Sequence, residues 1–353
     1  MQQFMDELLT GIEPPSNPEL ERKIRLRLDS LTKPPGSLGR LESIALWYCM
    51  ARGEVLPAPP RKRCFIFCAD HGVTAAGVSP YPREVTRQMA LNFALGGAAI
   101  NVLCRQAGIE AVVVDVGVDG DIDPAAGVID RKVARGTANL AEQPAMTADQ
   151  CEKAILTGAA LAHEAVDEGF TLLLGGEMGI GNTTAAAALG AALLGRGGKD
   201  LAGRGAGIDD EGLSRKAALI DQALARADVD PTDALQVLTE FGGLEIAALC
   251  GMMLGAAARR TPVLVDGFIA TAAALAAVRL APAARGYLLF AHRSAEQGHR
   301  MLLESLEAAP VLDLDMRLGE GSGAALAATV VDRALSLYRE MATFDSAGIS
   351  GGD

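Results

Sequence analysis

Short apolar runs alternate with long helix-forming stretches along most of this 353-residue chain, and few folds accept that rhythm. The runs stand at 64–69 (CFIFCA), 111–116 (AVVVDV), 171–175 (TLLLG), 262–265 (PVLV), 287–291 (YLLFA) and 311–314 (VLDL). Each has strand length and is apolar enough to be buried on both faces. The stretches at 83–107, 147–168, 183–195, 209–227, 244–258, 269–280 and 294–308 are amphipathic or alanine-rich over helical lengths. Strands joined by helices imply βαβ units, hence an α/β fold with a parallel sheet covered on both faces.

In such a sheet the carboxyl ends of the strands share one edge, where open α/β sheets bind ligands. That edge would collect Asp70-His71-Gly72, Asp115 with Gly117, Glu177, Asp266-Gly267, His292-Arg293-Ser294 and the segment from Arg317 to Gly321. Polar residues far apart in sequence would converge, which points to an enzyme.

The stretch GGEMGIGNTT carries glycines at 175, 176, 179 and 181 around one carboxylate, Glu177, with Asn182 or Thr183 placed to cap the helix that follows. A strand, a glycine turn and a helix start present backbone N–H groups at a positive dipole end, a seat for phosphate. The plainer alternative is a tight turn with steric glycines. No lysine follows Gly181 as in a Walker A loop, and GIGNTT lacks the third glycine of the dinucleotide fingerprint.

A second glycine loop at 203–210 leads into a helix carrying Lys216, with Asp209 as its cap. Lys216 is either a solvated lysine or a cation for the phosphate. Ser294, followed three residues later by Gln297, fits a capping box. A third loop, LGEGSG at 318–323, frames Glu320 with glycines at a helix start. Such a carboxylate either complements the helix dipole or is offered to a ligand.

The four histidines, at 71, 163, 292 and 299, make no HExxH or His-x-His pair, so no metal site is expected and His163 reads as structural. Spacing yields no Ser/His/Asp or Cys/His nucleophile. Two glycine-framed carboxylates and several phosphate-competent helix ends suggest acid–base work on a phosphorylated ligand without a covalent step.

The net charge of -12 weighs against binding nucleic acid or an anionic membrane surface. Six single cysteines, at 49, 64, 68, 104, 151 and 250, form no CxxC pair and read as reduced core thiols. The start MQQFMDELL has neither the basic region nor the apolar core of a secretion signal, and a cytoplasmic location is expected. Residues 1–58 look helical and irregular, with Ser37 after the Pro34-Pro35-Gly36 break set to cap the helix carrying Trp47. PAPPRKR at 57–63 reads as a linker, and TFDSAGISGGD at the end reads as a loose tail.

Beyond these single features, the sequence resembles the nicotinate-nucleotide–dimethylbenzimidazole phosphoribosyltransferases of cobalamin lower-ligand nucleotide synthesis. The resemblance rests on LTKPPGSLGRLE (31–42), ADHGVTAAGVSPYPREVTRQM (69–89), DRKVARGTANLAEQPAMT (130–147), GGEMGIGNTTAAAAL (175–189), GRGAGIDDEGLSRK (203–216), HRSAEQGH (292–299) and RLGEGSGAALA (317–327). It implies a Rossmann-like large domain over 59–310, a small helical domain built from 1–58 and 311–341, a tail over 342–353, and a homodimer.

The activity it implies is transfer of the 5-phosphoribosyl group of nicotinate mononucleotide to dimethylbenzimidazole, with inversion at the anomeric carbon and with neither metal nor cofactor. By the resemblance Glu320 is the general base and Glu177 a second carboxylate of the site. Gly179, Gly181, Asn182, Thr183, Gly205, Lys216, Ser294 and Gly323 would hold the ribose phosphate. Ser79, Tyr81, Met89, Met178 and Leu318 would wall the base pocket. Tyr81-Pro82 and Met89 fall where that family varies, so adenine, other benzimidazoles or phenols stay open as acceptors. The rivals are a sugar-phosphate kinase or hydrolase, which lacks its loop lysine here, and a nucleotide-binding module without turnover.

Overall fold

Strand β1 runs over Lys62–Ala69 and is buried along its whole length, two residues longer at its start than the apolar run. Its two leading charges are paired rather than solvated. Lys62 bonds Asp332, while Arg63 bridges Glu110 and Glu168 at 2.6 Å each and lays its guanidinium 3.9 Å from the Phe170 ring. The computed structural model describes residues 2–350.

Strands β2 (Ile109–Gly117), β3 (Ile129–Asp130), β4 (Leu172–Met178), β5 (Val263–Val265) and β6 (Leu288–Phe290) join β1 in one six-stranded sheet of order β3-β2-β1-β4-β5-β6. Every pairing in it is parallel. This is the doubly wound, Rossmann-like order, which reverses between β1 and β4 and opens a crevice at their carboxyl ends.

The run at 311–314 is not part of it. Strands β7 (His292–Arg293) and β8 (Leu312–Asp313) pair with each other in a separate two-stranded sheet. The sixth place is taken by β3, whose two residues are too few to register as an apolar run.

Helices α1 (Gln2–Thr10), α2 (Pro18–Ser30) and α3 (Arg40–Arg52) precede the sheet. Asn17 caps α2, its side chain accepting the Leu20 N–H at 3.0 Å. Ser37 does not cap α3. That helix starts after Gly39, which has φ 54 and needs no Cβ, and the Glu42 carboxylate takes the Leu38 N–H instead. The stretch 83–107 breaks at Leu95-Gly96-Gly97 into α4 (Val85–Ala94) and α5 (Ala99–Ala107).

Then follow α6 (Ala148–Asp167), α7 (Asn182–Leu194), α8 (Gly198–Leu201), α9 (Asp210–Arg226), α10 (Ala234–Phe241), α11 (Leu244–Ala258) and α12 (Phe268–Leu280). Asp209 caps α9, accepting the Gly212 N–H at 2.8 Å, as expected. Helix α13 covers only His299–Ser305, not 294–308, and α14 runs over Ser322–Glu340. The expected loose tail contains α15 (Phe344–Ala347), capped by Thr343, which also bridges to Leu31. Residues 351–353 of that tail lie outside the described residues.

The sheet separates two apolar cores. One face packs against α6, α7, α10, α11 and α12, joined by Met5 and Leu8 of α1. The other packs against α2, α3, α5 and α14. Helices α7 and α11 are buried nearly all round, so their alanines and glycines set how closely neighbours approach. A Cβ on Gly158 or Gly251 would strike the backbone across the α6–α11 contact. All six cysteines are free and buried. Among the described residues no helix is long and apolar enough to cross a membrane.

Candidate active site

The glycine turn begins later than the hydropathy implies. Gly175 and Gly176 are interior residues of β4, which runs on through Glu177 to Met178. A Cβ on Gly176 would lie 2.9 Å from the Gly321 nitrogen and strike the Glu320 carbonyl, so this glycine admits the loop that carries Glu320. The cap of α7 is Gly181, at φ 95, rather than Asn182 or Thr183. Both side chains are engaged elsewhere. The Asn182 amide donates to the Glu177 carboxylate, and Thr183 Oγ1 accepts from Lys216 Nζ at 2.7 Å.

Glu320 lies between two left-handed glycines, Gly319 at φ 80 and Gly321 at φ 90, and is itself left-handed at φ 64. For a side chain with a Cβ that conformation costs about 1–3 kcal/mol, and such strain collects at functional sites. Its Oε2 is buried without a hydrogen-bond partner among the described residues.

Glu177 and Glu320 line one cavity of about 500 Å³ at the carboxyl ends of β4 and β5. Gly179, Asn182, Thr183, Gly205 and Ser294 line it too, as do Tyr81, Met89, Met178 and Leu318. Four expected residues stand off its wall. Lys216 is buried behind it, bonded to Thr183 and to the Gly203 carbonyl at 3.1 Å. Gly323 packs on the His292 ring and Gly181 on Thr74 and Val73, while Ser79 turns its hydroxyl to the Tyr81 N–H at 3.1 Å.

Ser294 makes no capping box either. Its hydroxyl accepts the Glu296 N–H at 3.3 Å, its own N–H donates to His299 Nδ1 at 2.8 Å, and α13 starts after Gly298.

Sequence reasoning passed over Phe268 and Ile269, an apolar wall at the start of α12, and Glu296, which is buried beside Gly203. The signal for the first pair was the Asp266-Gly267 strand end directly before them. Behind the glycine loop lies a fully buried pair, His71 Nε2 and Glu245 Oε1, 2.5 Å apart. Among the described residues no group of His, Cys, Asp or Glu is arranged to hold a metal ion.

A phosphoribosyltransferase family model matches residues 12–349. A nicotinate-nucleotide–dimethylbenzimidazole phosphoribosyltransferase of Pelodictyon phaeoclathratiforme is 52% identical over 97% of this chain and 97% of its own. The enzyme of that name from Geobacter sulfurreducens is 50% identical over 96% of each chain. Among solved structures, CobT from Thermus thermophilus superposes with a TM-score of 0.91 at 48% identity, covering 95% of this chain and all of that one. The chain belongs to the nicotinate-nucleotide–dimethylbenzimidazole phosphoribosyltransferase family.

In this phosphoribosyltransferase four ionisable groups in or behind the cleft are shifted from their ordinary values. Burial raises Glu177 to about 8, and the charges of Glu245 and Asp266 add to it. The Asn182 amide and the Glu320 backbone N–H pull the other way. Burial likewise raises Glu320 to about 7, with the Ile100 backbone N–H opposing and Asp266 reinforcing. Lys216 is lowered to about 8 by burial, against the attraction of Glu296. His299 is pushed down to about 3, chiefly by burial. A carboxyl group titrating near neutrality can accept a proton and release it again at working pH, which is what a general base requires.

Proposed function

We propose that the protein transfers the 5-phosphoribosyl group of nicotinate mononucleotide to 5,6-dimethylbenzimidazole or a related base, releasing nicotinate and forming alpha-ribazole 5'-phosphate. The carrying observation is that Glu177 and Glu320, 143 positions apart by numbering (320 − 177), line one cavity together with Gly179 and Gly205 of two glycine loops and with Asn182 and Thr183 at the start of α7.

The glycosyl bond to nicotinate breaks with its electron pair returning to the pyridine nitrogen. The leaving group is then neutral at that nitrogen and needs no proton. One azole nitrogen forms the new bond to the anomeric carbon, and the proton of the other goes to Glu320. Attack opposite the leaving group inverts the centre from β to α. General-base assistance of this kind is worth about 10²–10⁴-fold.

Glu177, at about 8, is mostly protonated at pH 7 in the free protein. The pyridinium ring of the nucleotide favours its ionised form, which then faces positive charge developing at the sugar. The N–H groups at the start of α7, with Lys216 acting through Thr183, suit the 5'-phosphate, whose binding orients the sugar. Tyr81, Met89 and Leu318 offer an apolar wall to a flat ring. A homodimer belongs to the same proposal and is read by light scattering.

The test mixes the purified protein with nicotinate mononucleotide and dimethylbenzimidazole in the presence of a chelator and follows free nicotinate. Release is expected from the native protein, and Glu320→Gln should bind the nucleotide without turning it over. No release with any azole base would defeat the proposal.

A further inference from the structure

The support that holds Glu320 in its left-handed conformation comes from another strand. Asp266 directly follows β5 and is 3% exposed. Its Oδ1 accepts the Ala324 N–H at 2.8 Å and its Oδ2 the Gly321 N–H at 3.3 Å, with the Gly323 N–H also turned toward it. No side chain caps α14 at its own N-cap position, Gly321. A carboxylate directly after β5 therefore does for α14 what an N-cap residue does from the helix's own end, satisfying amides that have no partner in the helix.

From the other side, Gly176 of β4 lies against the Glu320 carbonyl. The loop is thus held between two strand ends, by Asp266 after β5 and, on the β4 side, by Gly176 and by the Glu177 carboxylate that faces the Glu320 backbone N–H.

Resting on the reading of Glu320 as the base, we propose that Asp266 is a positioning residue: it clamps the start of α14 to the end of β5 and so aims the Glu320 carboxylate into the cleft.

Asp266 also bears on Glu320 through its charge. The groups that face Glu320 are Glu177 from β4, Asp266 from β5 and the Ile100 backbone N–H from α5. Burial raises the pKa of Asp266, while His292 and the Ala324, Gly321 and Gly323 amides favour its ionised form. Arg317, on Glu320's own loop, is turned to the Gly205 carbonyl at 2.8 Å. A negative Asp266 makes Glu320 a stronger base, so the two effects can be measured separately. Position governs turnover, and charge governs the pH at which turnover sets in.

Asp266→Asn keeps an acceptor for one amide and removes the charge. The full-length variant should lose about 10²-fold in kcat, the scale of a small misplacement of the reacting groups. Its KM for nicotinate mononucleotide should stay within about threefold. The acid limb of its kcat/KM profile should move down by about 0.5–1 pH unit. Asp266→Ala, with no acceptor left, should turn over more slowly still.

Wild-type kcat in Asp266→Asn, or parallel losses in binding and turnover with an unmoved limb, would overturn the proposal. Glu320→Gln separates it from the reading beneath. An active Glu320→Gln removes the base assignment and this proposal with it. An inactive one beside a fully active Asp266→Asn removes this proposal alone. Should the Asp266 variants not fold, hydrogen exchange on the native protein decides. The Gly321 and Ala324 amides should be protected like the interior of α14, and exchange at the rate of open amides would overturn the clamp.

Discussion

Lys216 Nζ donates to Thr183 Oγ1 at 2.7 Å, tying α9 to the first turn of α7, where Asn182 and Thr183 line the cavity. Lys216 is 1% exposed, and its pKa is lowered to about 8 by burial. A buried cation acting through a hydroxyl is suited to a phosphate that stays bound while chemistry occurs elsewhere. Lys216→Met should therefore raise the KM for nicotinate mononucleotide about 10–100-fold, the range for losing a hydrogen bond to a charged group, with a smaller change in kcat. In the native protein nucleotide affinity should weaken as pH rises through about 8, because the lysine loses its proton there. Calorimetric titrations at pH 7 and pH 9 check both, and equal affinities at the two values would count against the role.

The pH–rate profile rises with the ionisation of Glu320, reinforced by that of Glu177, and falls with the loss of the Lys216 charge. Glu320 must be ionised to take a proton, and its pKa of about 7 makes kcat/KM climb up to that value and level off above it. Loss of the Lys216 charge near 8 then brings the profile down again. A bell centred between these values is expected, reporting the coupled site rather than single residues. Lys216→Met should lose the descending limb while keeping the rise. A profile flat from pH 5 to pH 9 would mean that none of these groups controls the rate.

The parallel sheet was readable because β1, β2 and β4 are apolar runs long enough to stand out, and the edge where their polar ends gather follows from parallel topology alone. Glu177 and Glu320 were readable for a related reason, since a carboxylate framed by glycines is conspicuous in a chain this apolar. What stayed hidden depends on contacts between distant segments. Lys62 and Arg63 look like a loop until Asp332, Glu110 and Glu168 neutralise them. Asn182 looks like a cap until Glu177 engages its amide. Asp266 looks like a strand end, and nothing local reveals that it serves a helix 58 positions on (324 − 266). The two-residue strands β3, β7 and β8 exist only through their partners.

Glu177 should cost the free protein stability at neutral pH. Its folded pKa of about 8 lies above the unfolded value of 4.5, so the folded state holds a proton that the unfolded state has released. Stability from this group is fully present below 4.5 and is lost as pH rises through 8. Glu177→Gln keeps the size and the hydrogen-bonding capacity but has no proton to lose. It should melt several degrees higher than the native protein at pH 8, with a much smaller difference at pH 5. The same variant should turn over more slowly, a site trading stability for function. A melting-point difference independent of pH would show that burial does not perturb this carboxyl group.

Gly175 and Gly176 are neighbours in β4 that should respond differently to the same substitution. A Cβ on Gly175 meets side-chain ends, Leu249 Cδ2 at 2.5 Å and Met252 Cε at 3.0 Å, which can rotate away within the core. A Cβ on Gly176 meets backbone, the carbonyl carbon of Glu320 at 2.5 Å and the Gly321 nitrogen at 2.9 Å, which can yield only by moving the loop. Overpacking of either kind costs about 1–3 kcal/mol. Gly175→Ala should therefore lower the melting temperature and leave kcat within a few-fold of native. Gly176→Ala should lower both, with kcat falling further than the KM for nicotinate mononucleotide changes, because the displaced element carries the proposed base. Melting curves and steady-state kinetics on the two variants make the comparison. Equal effects on kcat would show that the Glu320 loop does not need its seat on β4.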